Sequence, residues 1–442
     1  MSESDSSAGM HRMLIFFLLA ASLVNGLYNL GIAAQPAKQG GDFAQYYVAA
    51  RLVRAAENTT IYDRGALYQH RANEFGVKGI PYEDREPRVQ TFAYPPLVAY
   101  LMVPLSLLPY DVARYVFFLL SLAAFAASVP LLVENREKDR QKTMVLTGWA
   151  AVMLFYPVFQ TLYLGQINAV LLFLCILALH LVRRRRIWLA GLLFALAAHV
   201  KFFPLVLLPF FLVKQEYRLL GTTLLFVAVI AAISVAVGGL GLHEMYFSRV
   251  LPQQYFAGPY FRNQGFSGFF ERLLTRHEYT PSLGHFPRLA HLLSLAAGLA
   301  VLAATYVSAG TKARAGSLRY DLGFATCLIA ALLFQSKSYE HQHVFLLPAF
   351  LFSFETLVYR HRGGRALPML LGLSFSIWSF LLKLEFEYKR LPRTILLNPM
   401  FSVKFFATLM LWAVCVRLLT STRGPEHNAG TVTSASSSSV LS

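Results

Sequence analysis

Apolar runs close to the length that crosses a bilayer recur along this chain, at about 13–34, 111–133, 143–158, 167–182, 187–200, 202–213, 219–239, 288–309, 320–335, 343–359, 366–382 and 400–420. A segment in hydrocarbon must satisfy its own backbone N–H and C=O groups, so only helices or a closed barrel cross it. Spanning helices need roughly 20 residues and barrel strands about half that. The run lengths therefore predict an all-α polytopic membrane protein with about 12 transmembrane helices and both ends on the cytoplasmic side. Composition agrees: 14% of residues are charged, against about 25% in soluble domains.

The formal charge of +17 does not mark a nucleic-acid binder, because the cations sit in short loops between apolar runs. Arg136, Lys138, Arg140 and Lys142 form one group, and Arg183 to Arg186 a second. Lys312, Arg314 and Arg319 follow, then Arg360, Arg362 and Arg365. Basic loops mark the cytoplasmic face, with anionic lipid headgroups as incidental contacts. A further run at 96–108 begins Pro95-Pro96-Leu97. Counting it as a crossing would put the basic loops 134–142 and 183–186 on opposite sides. It is read as an interfacial or re-entrant helix opened by proline in its first turn.

With that parity the long loops 35–110 and 240–287 both face the extracytoplasmic side. The first mixes acids and bases, as a folded segment does, with helices expected near 43–56 and 64–75. Residues 1–420 read as one integral-membrane domain and 421–442 as a Ser/Thr-rich disordered cytoplasmic tail. Ala33-Ala34-Gln35-Pro36-Ala37 loosely matches a signal-peptidase site, but the run before it is long for a signal peptide, so an uncleaved helix is expected. Cys175, Cys327 and Cys415 lie in apolar runs with no metal spacing.

Several polar groups converge on the outward loops. Asp42, in Gly40-Gly41-Asp42-Phe43-Ala44-Gln45-Tyr46-Tyr47, is an acid at the edge of a membrane bundle. Such acids are costly and functional by default; the competing reading is a helix N-cap. Tyr46 and Tyr47 follow it, and Tyr94 precedes the 96–108 run. Gln166 and Asn168 lie in a hairpin between two crossings, where amides either contact a ligand or join helices. Lys201 falls at an outer turn, against the charge trend, where an ammonium suits a phosphate or snorkels to headgroups. Glu340, His341 and His343 stand at the outer end of another crossing, without a metal motif. Asn263-Gln264 and Arg272 are weaker candidates for the same cavity. No Asp-x-Asp pair and no Gly-rich phosphate loop is present, and no cofactor is expected.

These residues, in this order, resemble glycosyltransferase family 87, polytopic enzymes of the GT-C class that use polyprenyl-phosphate sugars. The likeness rests on Gly41-Asp42-Phe43 with Tyr46-Tyr47-Ala49-Ala50, Ile61-Tyr62-Asp63, Tyr94-Pro95-Pro96-Leu97, and Pro104-Leu105 to Leu108-Pro109. Gly165-Gln166-Ile167-Asn168, Lys201 with Pro204, and Glu340-His341 before Leu346-Leu347-Pro348 complete it. The chain departs from the family at Tyr339, where tryptophan is expected before the acid, and at Gly265, where serine is expected.

The resemblance implies a GT-C fold, Asp42 as general base, and Lys201 with His341 or His343 near the donor phosphate. Tyr46, Tyr47, Tyr94, Gln166, Asn168, Asn263 and Glu340 are then expected to bind substrate, with no metal. The implied reaction moves a hexose, mannose by family likeness, to an acceptor hydroxyl of a glycolipid or envelope glycan. It would occur at the outer face of the cell membrane with inversion at the anomeric carbon. A single acid suits inversion, whereas retention or hydrolysis calls for paired carboxylates. The alternative class is a lipid or solute transporter, though the internal repeats common in transporters are not evident.

Overall fold

A computed structural model of the chain describes residues 20, 23–34, 41–57, 60–63, 65, 67, 92–134, 136–255, 258–310, 313–359, 366–381 and 397–421. Among these residues there is no strand. Helices occupy each of the twelve apolar runs. Five are long and apolar enough to cross a bilayer: Tyr110–Val133, Tyr217–Gly238, Pro287–Ala309, Glu340–Tyr359 and Val403–Ser421. Leu23–Ala34, Asn168–Arg183, Ile187–Val200 and Phe203–Val213 are apolar but shorter. The protein is thus a helical, multi-pass membrane protein.

One run differs from its sequence expectation. The stretch read as 143–158 is two helices, Lys138–Leu154 and Tyr156–Leu164, bent by 59°. Phe155 between them is extended at φ −77°, ψ 109°, and Pro157 has no N–H with which to continue the first helix. Counted as one, the pair is a sixth candidate span.

Burial separates the central helices from the peripheral ones. Glu340–Tyr359 is 83% buried over its apolar window, against 17% for Tyr217–Gly238. Leu318–Phe334 is buried along almost its whole length. The peripheral helix exposes Leu224, Leu225, Val229, Ile233 and Val237, as a lipid-facing surface does.

Two central helices carry opposite chemistry at their two ends. Asn168–Arg183 starts among the polar groups of the candidate site and ends in a cluster of arginines and acids. Glu340–Tyr359 does the same, with Glu340 at one end and Glu355 at the other. A 16-residue helix is about 24 Å long, so the two polar regions are well separated.

The basic end is not the set of solvated loop charges that its sequence implies. Arg136 bonds to Glu355 Oε1 at 2.8 Å and Asp321 Oδ2 at 3.2 Å, Arg183 to Asp321 Oδ2 at 2.9 Å, and Arg140 to Glu355 Oε1 at 2.7 Å. Asp321 and Glu355 are fully buried. Sequence spacing missed this because both acids lie within apolar helices far along the chain. Arg184 and His180 pair with Glu134 beside it.

The first long loop folds as expected near 43–56, where Phe43–Arg54 is helical and buried from Phe43 through Ala50 and again at Leu52. The helix expected at 64–75 lies largely outside the described residues, as does the 421–442 tail beyond Ser421. The 96–108 run forms two short helices, Pro96–Leu101 and Val103–Ser106. Arg54 Nη1 donates to Ser106 O and Tyr47 Oη to Leu108 O, both at 2.8 Å, holding them against Phe43–Arg54.

Candidate active site

The site is assembled around the end of the helix Tyr156–Leu164. Gly165 follows it in the left-handed region at φ +65°. Its N–H donates to Leu162 O at 3.2 Å and that of Gln166 to Thr161 O at 2.8 Å, which is the Schellman arrangement. The Leu164 carbonyl is satisfied from elsewhere: Asp42 N–H donates to it at 2.7 Å. Gly41, at φ +52°, lets the two segments meet, since a Cβ there would lie 2.7 Å from Leu164 O. A Cβ on Gly165 would lie 2.6 Å from Phe43 Cβ.

Asp42 occupies the N-cap position of Phe43–Arg54, yet its side chain makes no capping hydrogen bond. Its buried carboxylate instead accepts from Gln166 Nε2. The helix-cap reading of Asp42 therefore fails on geometry. On the other side of the Gln166 amide, Tyr46 Oη and Tyr94 Oη each lie 3.1 Å from Oε1 and 2.8 Å from one another. Burial pushes both phenols above their usual range; the Asp42 charge adds to this in both, and their mutual contact raises Tyr46 but lowers Tyr94. They stay protonated donors.

Asn168 lies one turn further on. Its Nδ2 donates to His341 O at 3.2 Å, and Thr161 Oγ1 donates to the same carbonyl at 2.8 Å. Lys201 Nζ approaches Asn168 Oδ1 at 3.5 Å. With the Gln342 amide turned so that its nitrogen donates to Lys337 O, its oxygen accepts from Lys201 Nζ at 3.1 Å. Burial lowers the Lys201 ammonium to about 8, and the negative charge of Asp42 acts in the opposite sense. The charges of Lys201 and of Arg262 both bear on the His341 ring. Arg262 went unnoticed in the sequence, where it is one more loop arginine.

The remaining candidates are bonded into the protein. His343 is fully buried and its Nδ1 lies 3.0 Å from Tyr339 O. Glu340 pairs at 2.5 Å with Lys404 Nζ, which also sits 4.7 Å from the centre of the Tyr156 ring. Lys404 was missed because it opens an apolar run far from Glu340 in sequence. The buried Asn263 amide donates to Ser336 O at 2.8 Å and accepts from Ser338 N at 2.9 Å. Gln264 and Arg272 likewise bond to backbone: Gln264 Nε2 to Phe401 O at 2.7 Å, and Arg272 Nη1 to Tyr260 O and Asn263 O at 2.9 Å. Asn263 thus ties the 258–265 loop to the 336–338 turn, while Gln264 and Arg272 tie it to the 398–405 segment. Tyr47 likewise holds the Leu108 carbonyl.

A model of glycosyltransferase family 87 matches residues 92–336, more than half of the chain. The chain belongs to glycosyltransferase family 87. Within the matched segment lie Tyr94, Gln166, Asn168, Lys201 and Asn263; Asp42 and Glu340 to His343 lie outside it.

Two curated proteins similar to this chain are mycobacterial. One, from Mycolicibacterium smegmatis, is 28% identical over 214 residues, 48% of each chain. The other, from Mycobacterium tuberculosis, is 27% identical over 205 residues, 44% of this chain and 46% of the relative. Both are described as polyprenol-phosphate-mannose-dependent alpha-(1-2)-phosphatidylinositol pentamannoside mannosyltransferases. The alignments span about half the length of these relatives. No solved structure matches the chain. Membership of a glycosyltransferase family sets aside the transporter alternative.

Proposed function

We propose that this family 87 glycosyltransferase moves a hexose, by inversion, from a polyprenyl-phosphate donor to an acceptor hydroxyl. Mannose is the sugar and a glycolipid the acceptor class favoured by the names of its relatives. The observation that carries the reading is the Asp42 carboxylate, turned from its own helix and gripped by Gln166 in the same site as Lys201 and His341.

Asp42 takes the proton of the acceptor hydroxyl as its oxygen attacks the anomeric carbon. The bond between that carbon and the phosphate oxygen breaks, and its electron pair leaves with the polyprenyl phosphate. Charge grows on that phosphate, so a cation fixed beforehand stabilises the transition state more than the ground state. Lys201 is that cation, with His341 and Asn168 beside it. The donor's lipid tail stays in the bilayer and its sugar enters at the face bearing the long loops, taken as extracytoplasmic from loop charge.

The test is transfer of labelled mannose from polyprenyl-phosphate mannose by purified protein in lipid. A positioned base contributes about 10² to 10⁴ in rate, so Asp42→Asn is expected to lose at least a hundredfold while folding normally. Near wild-type turnover in that variant overturns the assignment.

A further inference from the structure

We propose that Gln166 is a positioning residue for Asp42, and that Tyr94 and Tyr46 act through it as a hydroxyl–amide–carboxylate relay. This rests on the reading of Asp42 as the base and goes beyond it, by taking Gln166 out of the substrate-binding set.

The chemistry fixes the direction of every bond. An ionised carboxylate only accepts hydrogen bonds, so the Gln166 amide must turn its nitrogen to Asp42, which leaves its oxygen to accept from a phenol. Its Nε2 faces Asp42 and its Oε1 faces the two phenols. With the amide reversed, its oxygen would oppose the carboxylate and its nitrogen would meet the phenols. Tyr94 Oη donates to Oε1 at 3.1 Å and itself accepts from Tyr46 Oη at 2.8 Å, which holds the amide in the useful sense, and the backbone of Gln166 is itself locked by the bond to Thr161 O at 2.8 Å. All side-chain freedom of the amide is removed before substrate arrives.

This arrangement has two consequences for a base. It fixes the rotation of the carboxylate, and so the lone pair turned to the acceptor. It also donates to the ionised form, which favours that form and keeps the base ready at lower pH. Among the described residues, charged or titratable groups that bear on Asp42 include Tyr46, Tyr94, Lys201 and Tyr339. None of the three phenols carries charge at neutral pH, whereas Lys201 and the Gln166 amide both favour the carboxylate.

The experiment compares pH profiles of kcat/KM for the wild type, Gln166→Met, Gln166→Glu and Tyr94→Phe. The acid limb reports the base of the free enzyme. Losing a hydrogen bond to the ionised form shifts that limb upward by about one pH unit in Gln166→Met. In Gln166→Glu two carboxyls compete for one proton, so the limb moves further and activity recovers as pH rises. Tyr94→Phe removes one hydroxyl without opening a cavity and moves the limb by less; it carries the test if Gln166→Met fails to fold.

Limb shifts in that order, at unchanged KM for donor, support the relay. A lower kcat or a raised KM with the acid limb in place overturns it, and Gln166 is then a structural or substrate contact. The two readings fail separately: an active Asp42→Asn removes the base, whereas an inactive Asp42→Asn with unmoved limbs removes only the relay.

Discussion

The backbone N–H of Asp42 donates to the carbonyl oxygen of Leu164 at 2.7 Å, joining the first long loop to the end of a helix more than a hundred residues later. That bond needs two glycines facing each other, Gly41 at φ +52° and Gly165 at φ +65°. Alanine in the left-handed region costs roughly 1–2 kcal/mol, and here its methyl also pushes the segments apart. Gly165→Ala should therefore lower the thermal stability of purified protein in detergent and, by displacing Asp42, lower kcat at saturating donor. Unchanged stability and kcat together would show that the junction is not needed.

The Lys201 ammonium, lowered by burial to about 8, is charged below that pH and neutral above it. Attraction for a donor phosphate is present at lower pH and lost as pH rises through that value. The basic limb of kcat/KM for donor is expected near pH 8, and Lys201→Arg removes the limb because a guanidinium stays charged. Lys201→Met should depress kcat/KM across the whole range. A basic limb that persists in Lys201→Arg would assign it to another group.

His341 and His343 sit in different surroundings. The charges of Lys201 and Arg262 bear on the His341 ring, whereas His343 is buried with Nδ1 on the Tyr339 carbonyl. Steady-state kinetics should show His341→Gln raising KM for the donor or lowering kcat at near-normal stability. His343→Ala should lower the unfolding temperature instead, by removing a buried polar contact worth about 1 kcal/mol. Reversed outcomes would exchange the two roles.

Lys404 and Glu340 form a buried pair at 2.5 Å, 3% and 11% exposed at their side chains. Removing one partner of a buried pair leaves an uncompensated charge and costs about 3–5 kcal/mol, whereas replacing both is much milder. Lys404→Met should thus be strongly destabilised and Lys404→Met with Glu340→Gln largely recovered, as read from thermal unfolding. If the double variant is as poor as the single one, the pair is not the source of the effect.

Much of this molecule was legible in its sequence, and for a physical reason. Apolar run length is a local property that hydrocarbon enforces everywhere, so the helices Tyr110–Val133, Tyr217–Gly238 and Pro287–Ala309 fall where the runs do. The proline before Leu97 also foretold the start of Pro96–Leu101. The break at Phe155 was less visible, because Pro157 is tolerated in the first turn of a helix as readily as it ends one.

Pairing across the bundle was not legible, because a side chain's partner is set by packing and not by spacing. Sequence named Asp42 and Gln166 as polar groups at outer turns; only the tertiary structure turned the carboxylate from its own helix onto that amide. It likewise gave Glu340 to Lys404 and bound Arg136, Arg140 and Arg183 to buried Asp321 and Glu355. It spent Asn263 and Arg272 on backbone carbonyls. The sequence by itself determined a helical membrane protein and which polar residues it keeps. The fold decided which of them face one another, since in a low-dielectric interior each buried donor and charge must find a partner, however distant in the chain.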